Sequence, residues 1–156
     1  MSASVNMRRK QSGVAVIELA VTLIFLLLVT MGITEIGRAF WYYSALQKAT
    51  RDGARYVSTQ SWSGASPVSA CKTSVRENAV SAGVPSVDAA GTTLENRVSV
   101  LCDGAACNWG SATTPEYITV VIDNFRMHWL WSLGAPLPES GGSAGLRIQT
   151  TMPYMR

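Results

Sequence analysis

The sequence has few of the residues that most often carry enzyme chemistry. It contains one histidine and three cysteines, and charged residues make up only 15% of the chain. The single histidine, His128, has no second histidine, C-x-x-C pair, nucleophile elbow or glycine-rich phosphate loop beside it. We therefore predict that the chain is not an enzyme and has no cofactor or metal site. His128 is interpreted as a packing or surface residue.

A basic surface for nucleic acid is also missing. The net charge is +3, but Arg8, Arg9 and Lys10 all precede Gly13. Downstream of Gly13, basic residues equal acidic residues in number. Nucleic-acid-binding domains carry their basic residues on the folded part. We predict no nucleic-acid partner.

Proline is absent until Pro67, so nothing in the earlier sequence interrupts a helix. The run 14–34 carries one charged residue, Glu18, and is long enough to cross a hydrocarbon core of about 30 Å. This predicts a leader over 1–13, a membrane-spanning helix over 14–34 and an amphipathic continuation over 35–60. Apolar and small residues recur there at steps of three and four: Ala39, Tyr42, Leu46, Ala49, Gly53 and Tyr56.

The charge pattern predicts the orientation. Basic residues mark the cytoplasmic side of a membrane helix, which places the RRK head in the cytoplasm and the remainder in the periplasm or outside. A secretory signal peptide would be cut after its apolar run, but no Ala-x-Ala-like site follows Thr30. The small residue Gly13 instead precedes the apolar run.

Glu18 is the first indication of function. A carboxylate inside an apolar membrane run costs about 2.5–3.5 kcal/mol on insertion scales. An isolated anchor gains nothing from such a charge. We therefore expect Glu18 to have a specific partner.

The segment 61–156 predicts a small α+β head. Helical spacing favours a helix over 68–82, and alternation favours strands over 97–102, 117–125 and 146–152. The fold class is therefore α+β, with a long N-terminal helix packed on a small antiparallel sheet. The small residues Ala49 and Gly53 are compatible with two roles, packing against a neighbouring subunit or fitting the head's own strands.

Three cysteines allow three pairings, each leaving one thiol over. Cys102 and Cys107 could close a small loop at a strand end, and we favour this pair. The alternative, Cys71 with Cys102, would tie the helix 68–82 to the sheet. Either bridge would be a structural staple, and the periplasm allows it to persist.

An aromatic cluster follows the second predicted strand. Phe125, Met127, Trp129 and Trp131 lie within seven positions of each other. They either complete the core of the sheet or form an exposed contact patch, with Trp129 and Trp131 as the candidate contact residues. The sequence leaves both interpretations open.

Two stretches resemble a known family. GVAVIELA (13–20) and ITEIGRAFWYYSALQKATRDGARYV (33–57) resemble TadE-like proteins, the minor pilins or pseudopilins of tight-adherence (type IVc) pilus systems. Leu19 stands where the family commonly has an aromatic residue. The resemblance implies a pilin-like fold and a role in assembling, priming or capping a pilus for surface adhesion.

The resemblance also implies residue roles and partners. A prepilin peptidase would cut after Gly13, so the mature chain would begin at Val14. Glu18 would pair with the new N-terminal amine of a neighbouring subunit and set its register. The partners would be other pilin subunits, the peptidase, the inner-membrane assembly platform and the lipid bilayer. The chain would reside in the bacterial inner membrane and enter an extracellular pilus.

A different interpretation remains open from the sequence. A permanently anchored single-pass envelope protein with a periplasmic binding head would show the same apolar run. The two interpretations differ in the first residue of the chain in the membrane, Val14 or the initiator Met1.

Overall fold

The computed structural model describes residues 5–128 and 145–155, with side chains from Gly13 onward. The chain divides into two compact units, Met1–Arg38 and Ala39–Arg156, which we call the N-terminal unit and the head unit. Trp129 and Trp131, the predicted contact residues, lie outside the described residues.

The first element is the helix α1, Val5–Ser58. The sequence predicts a helix of about 45 residues, and the structure has one of 54. The difference lies at the start, where α1 already includes the basic residues before Gly13. Arg, Lys, Met and Gln are good helix formers, and no proline stops the helix from extending through them.

The head unit has the predicted α+β architecture. Its helices are α2 (Val68–Ser81) and α3 (Leu94–Arg97). Four antiparallel strands form one sheet in the order β2-β1-β3-β4. Their bounds are Val98–Cys102 for β1, Ala105–Ala106 for β2, Tyr117–Phe125 for β3 and Leu146–Pro153 for β4.

The prediction missed the two-residue strand β2, which pairs with the end of β1. A two-residue turn joins them, and Asp103 and Gly104 both have positive φ, 51° and 83°. Asp-Gly is a preferred pair for this tight hairpin turn, so the sequence does carry its signal. The Asp103 carboxylate accepts hydrogen bonds from the backbone N–H groups of Glu116 (3.0 Å) and Tyr117 (2.8 Å). These bonds hold the turn against the start of β3.

The core of the head unit lies where α1 and α2 meet the sheet. Gly53 on α1 comes so close to α2 that an added Cβ would lie 2.5 Å from Cγ2 of Val75 and 3.2 Å from Sγ of Cys71. Ala49 is buried in the same core. Ala49 and Gly53 therefore serve the packing of their own head, which is one of the two roles that the sequence leaves open.

The prediction is wrong for one residue of the apolar face, which is exposed in the structure. Tyr56 is 39% exposed, and the adjacent Val57 is fully buried instead. The buried arc of α1 widens toward its end, because Thr50, Ala54 and Ser58 are buried as well. The Thr50 hydroxyl lies 3.0 Å from that of Thr150, so the edge strand β4 covers this side of α1.

Candidate functional site

The N-terminal unit exposes apolar side chains on every side of α1. The large apolar residues between Val14 and Val29 are all exposed. They include seven consecutive aliphatic and aromatic residues, Leu23–Val29. Within the described residues, one helix, Gly13–Ser58, is long and apolar enough to cross a membrane. A helix that is apolar all round is stable only in lipid or among other apolar helices.

The hydroxyl groups in this apolar run are satisfied within the helix. Thr22 donates a hydrogen bond to the carbonyl oxygen of Glu18 (2.8 Å), and Thr34 donates to that of Thr30 (2.8 Å). Thr30 itself donates to the carbonyl oxygen of Leu27 (3.0 Å). A satisfied hydroxyl is much cheaper to place in hydrocarbon than an unsatisfied one. The threonines therefore do not oppose insertion.

Glu18 differs from these threonines, because its carboxylate is charged. Its side chain is exposed, and in the part of the chain that the structure describes no basic side chain forms an ion pair with it. A carboxylate placed in lipid needs a cation from elsewhere to offset its desolvation. The geometry leaves Glu18 open to a partner from outside the chain.

The residues predicted for processing lie on the same exposed stretch. No heavy atom would come within 4 Å of a Cβ added to Gly13, and the Val14 side chain is exposed. Gly13, Val14 and Glu18 fall within about one and a half helical turns. Their roles in processing and assembly stay predictions.

The second acidic residue of α1 is neutralised locally. Glu35 is only 5% exposed, and its carboxylate lies 3.0 Å from the Arg38 guanidinium, one turn further on. The spacing of three predicts this pair. Glu35 therefore has a charge partner on its own helix, whereas Glu18 has none among the described residues.

The disulfide joins Cys102 to Cys107, with a Cα–Cα distance of 4.8 Å. It joins the last residue of β1 to the residue that follows β2, across the tight hairpin. Cys71 remains a free thiol, fully buried between α2 and Gly53 of α1. Burial raises the pKa of Cys71 to about 11, so this thiol is protonated and unreactive at neutral pH.

The remaining features of the head unit are described by their burial and contacts. His128 is exposed, and Phe125 is fully buried in the core. Among residues 5–128 and 145–155, no three His, Cys, Asp or Glu side chains are grouped to hold a metal ion. Trp62 packs on Trp109 with ring centroids 4.6 Å apart, and the Tyr154 hydroxyl donates to the carbonyl oxygen of Gln60 (2.6 Å). This cluster links the residue after β4, Tyr154, to the residues that follow the end of α1.

The sequence interpretation missed the exposed aromatic residues just after the apolar run. Phe40, Trp41 and Tyr43 are exposed on α1, while Tyr42 packs against the core. The signal was present as four consecutive aromatic residues, FWYY. The predicted amphipathic helix over 35–60 includes these residues but does not distinguish the exposed rings from Tyr42.

These features define a class of protein: an α+β head that follows a long N-terminal helix able to span a membrane. A comparison with protein families identifies which family the N-terminal segment resembles. Residues 13–55 match the family described as TadE-like protein. The chain thus carries a TadE-like N-terminal segment, consistent with a TadE-like protein of tight-adherence pilus systems, and the resemblance stated from the sequence is confirmed.

The matched range covers about a quarter of the chain and includes most of α1. The whole sheet lies beyond it. No curated protein matches the chain, and no solved structure matches it.

Proposed function

We propose that this chain is a minor pilin or pseudopilin that takes part in assembling, priming or capping a tight-adherence pilus for surface adhesion. It is inserted in the bacterial inner membrane with its N-terminus in the cytoplasm and its head in the periplasm. A prepilin peptidase removes residues 1–13. The assembly platform then moves the mature subunit among other pilin subunits. The role is structural, and the chain performs no reaction of its own.

One observation carries this proposal: the TadE-like match begins at residue 13, the glycine that precedes the apolar run. Gly13 is also where the charge pattern changes from basic to apolar. The open space around Gly13 supports access by a peptidase at the membrane edge.

Glu18 supplies the assembly step of the proposal. Cleavage after Gly13 creates an ammonium group on Val14, about one helical turn before Glu18. In a bundle of parallel helices, the Glu18 carboxylate of one subunit neutralises the ammonium group of its neighbour. An unpaired charge in hydrocarbon is costly, so only the register that pairs the two charges is stable.

Processing is tested by comparing Gly13→Leu with Gly37→Leu. Both glycines lie in α1, and neither has a heavy atom within 4 Å of an added Cβ, so neither substitution meets a steric clash. We expect intact mass and N-terminal sequencing of the membrane fraction to find Val14 first in the wild type and in Gly37→Leu. Gly13→Leu should give only the precursor.

A wild-type chain that retains its RRK head in assembled pili would contradict the proposal. The permanently anchored envelope protein would then be the better description. A mature band from Gly13→Leu would refute the assignment of the cleavage site alone.

The role of Glu18 is tested by Glu18→Gln, which keeps the size of the side chain and removes its charge, and by Glu18→Val. Both variants should insert in the membrane and lack surface pili. Ile17→Val is the matched control, because it changes an exposed apolar neighbour and leaves the charge in place. Normal piliation in Glu18→Gln would refute the charge-pairing role.

A further inference from the structure

Three aromatic side chains are exposed where α1 enters the head unit. Phe40 is 71% exposed, Trp41 is 60% exposed and Tyr43 is 42% exposed. We call these three residues the aromatic collar. Successive residues of a helix differ by about 100° in direction, so the three rings occupy a wide arc of α1. Tyr42, between them, packs against the core, which directs the collar away from the head's own sheet.

Trp41 is already satisfied in its one polar group. Its Nε1–H donates a hydrogen bond to the carbonyl oxygen of Ala82 (2.9 Å), at the C-cap of α2. The ring carbons remain exposed. Water therefore gains no hydrogen bond from this indole and faces only its apolar surface. The bond also fixes the ring, so its exposure is built into the packing of α1 on α2.

The exposed face of α1 changes character immediately after the collar. The next exposed residues are polar or charged: Ser44, Lys48, Arg51, Asp52 and Arg55. On the N-terminal side of the collar, the same helix contains the apolar run 14–34. The collar thus lies at the boundary between an apolar and a polar stretch.

The position of the collar matches the headgroup layer of a bilayer. Phe40 and Trp41 follow Thr34 by about 9–10 Å of helix rise. Side chains on a helix lean toward its N-terminus, which brings the rings back toward the apolar run by several ångströms. The headgroup layer is about 5–8 Å thick on each side, and aromatic residues concentrate there.

We propose that the aromatic collar binds the lipid–water interface on the head side of the membrane and sets the depth at which α1 leaves the bilayer. A second protein helix fits the surface less well. Such a helix would need apolar contacts directly after Tyr43, where the first exposed residues are serine, lysine and arginine. The inference depends on the proposed insertion of α1 in a membrane and is independent of the pilus role.

The test measures tryptophan fluorescence of the full-length chain in phosphatidylcholine–phosphatidylglycerol vesicles. Lipids brominated near the headgroup or deep in the acyl chain quench a nearby indole. The wild type is compared with Trp41→Phe, so that the difference isolates Trp41. Trp62→Phe is the matched control, because Trp62 lies past Ser58, the end of α1, which is itself about 25 Å of helix rise beyond Trp41.

We expect shallow bromolipids to quench the wild type, and Trp41→Phe to lose a large part of that quenching. Deep bromolipids should quench Trp41 less than shallow ones. Trp62→Phe should retain the quenching of the wild type. Equal quenching of the wild type and Trp41→Phe in chains that float with the vesicles would overturn the collar. Chains that fail to float would overturn both the insertion of α1 and the collar.

Discussion

The N-terminal unit and the head unit use one continuous helix in two opposite ways. Between Val14 and Val29, α1 exposes large apolar side chains in every direction. In the head unit the same helix buries a stripe formed by Leu46, Ala49 and Val57 and exposes charged residues on its other side. The first pattern fits a surrounding of lipid, and the second fits a boundary between a protein core and water.

The two units also satisfy their polar groups differently. In the N-terminal unit, Thr22 and Thr34 bond to carbonyl groups one turn earlier in the same helix. In the head unit, Thr50 bonds across to Thr150 of the sheet, and Asp88 accepts the N–H of Thr92 in its own turn and forms an ion pair with Arg97, nine residues further on. The helix in the N-terminal unit therefore needs no tertiary partner for its polar groups. We expect it to stay helical in lipid or detergent when the head unfolds.

The largest loss of head stability should come from Asp88→Asn. The Asp88 side chain is fully buried; it accepts hydrogen bonds from the N–H groups of Ala90 and Thr92 and forms an ion pair with Arg97 at 2.8 Å. Asparagine keeps one acceptor oxygen but leaves the Arg97 charge without its partner. Breaking a buried ion pair from one side costs about 3–5 kcal/mol. Urea unfolding in detergent, followed by near-UV circular dichroism, measures the loss.

Asp103→Asn is the matched control, because Asp103 also accepts backbone N–H groups but is exposed and pairs with no arginine among the described residues. We expect a loss of less than about 1 kcal/mol, since solvent screens an exposed carboxylate. Far-UV circular dichroism of Asp88→Asn in urea should retain helix after the near-UV signal is lost. Equal losses in the two variants, or a single transition for head and helix, would contradict the contrast between the units.

The next largest loss of head stability is expected from a substitution at a glycine of α1. It is compared with the same substitution at a glycine in the other unit. In Gly53→Leu the new side chain meets Val75 and Cys71, both fully buried, so the core must shift. Overpacking of this kind costs about 1–3 kcal/mol. In Gly37→Leu nothing lies within 4 Å of the added Cβ, and leucine is the better helix former. The same urea titration should show a destabilised head for Gly53→Leu and an unchanged head for Gly37→Leu.

A loss of head stability in Gly37→Leu would show that the head depends on the N-terminal unit. No loss in Gly53→Leu would show that α1 and α2 can move apart at no cost. Either result would weaken the distinction between the two parts of the helix.

Sequence patterns predicted the elements that depend on local spacing. The long helix, α2 and the three longer strands follow from the absence of proline and from periodicity, and the Glu35–Arg38 pair follows from a spacing of three. The Asp88–Arg97 pair was missed, because a turn brings together residues nine positions apart. Tyr56 was misplaced because the buried arc of α1 is shifted toward Thr50, Ala54 and Ser58, the side on which β4, distant in sequence, contacts Thr50.

In the candidate site, too, the residues that are close in sequence were predicted, and those that depend on tertiary packing were not. Gly13, Val14 and Glu18 lie close together in the sequence, so a motif can identify them. The aromatic collar could be recognised only after the contact of Tyr42 with the core and the bond from Trp41 to Ala82 had fixed which rings remain exposed. That choice depends on how α2 packs on α1, and no local pattern encodes it.

The smallest effect at neutral pH comes from Cys71, because its contribution to head stability changes only in alkaline solution. Burial raises the pKa of Cys71 from 9.0 to about 11, whereas the unfolded thiol ionises at its ordinary pKa. The unfolded state therefore loses its proton first. The stabilisation is complete below pH 9 and is lost as the pH rises toward 11, by roughly 2 kcal/mol. Cys71→Ala supplies the baseline, because it removes this thiol and leaves every other side chain in place. Urea midpoints between pH 8 and 11 should fall more steeply in the wild type than in Cys71→Ala. Parallel curves would mean that the thiol reaches solvent in the folded head, which would contradict the dry core in which Cys71 packs against Gly53.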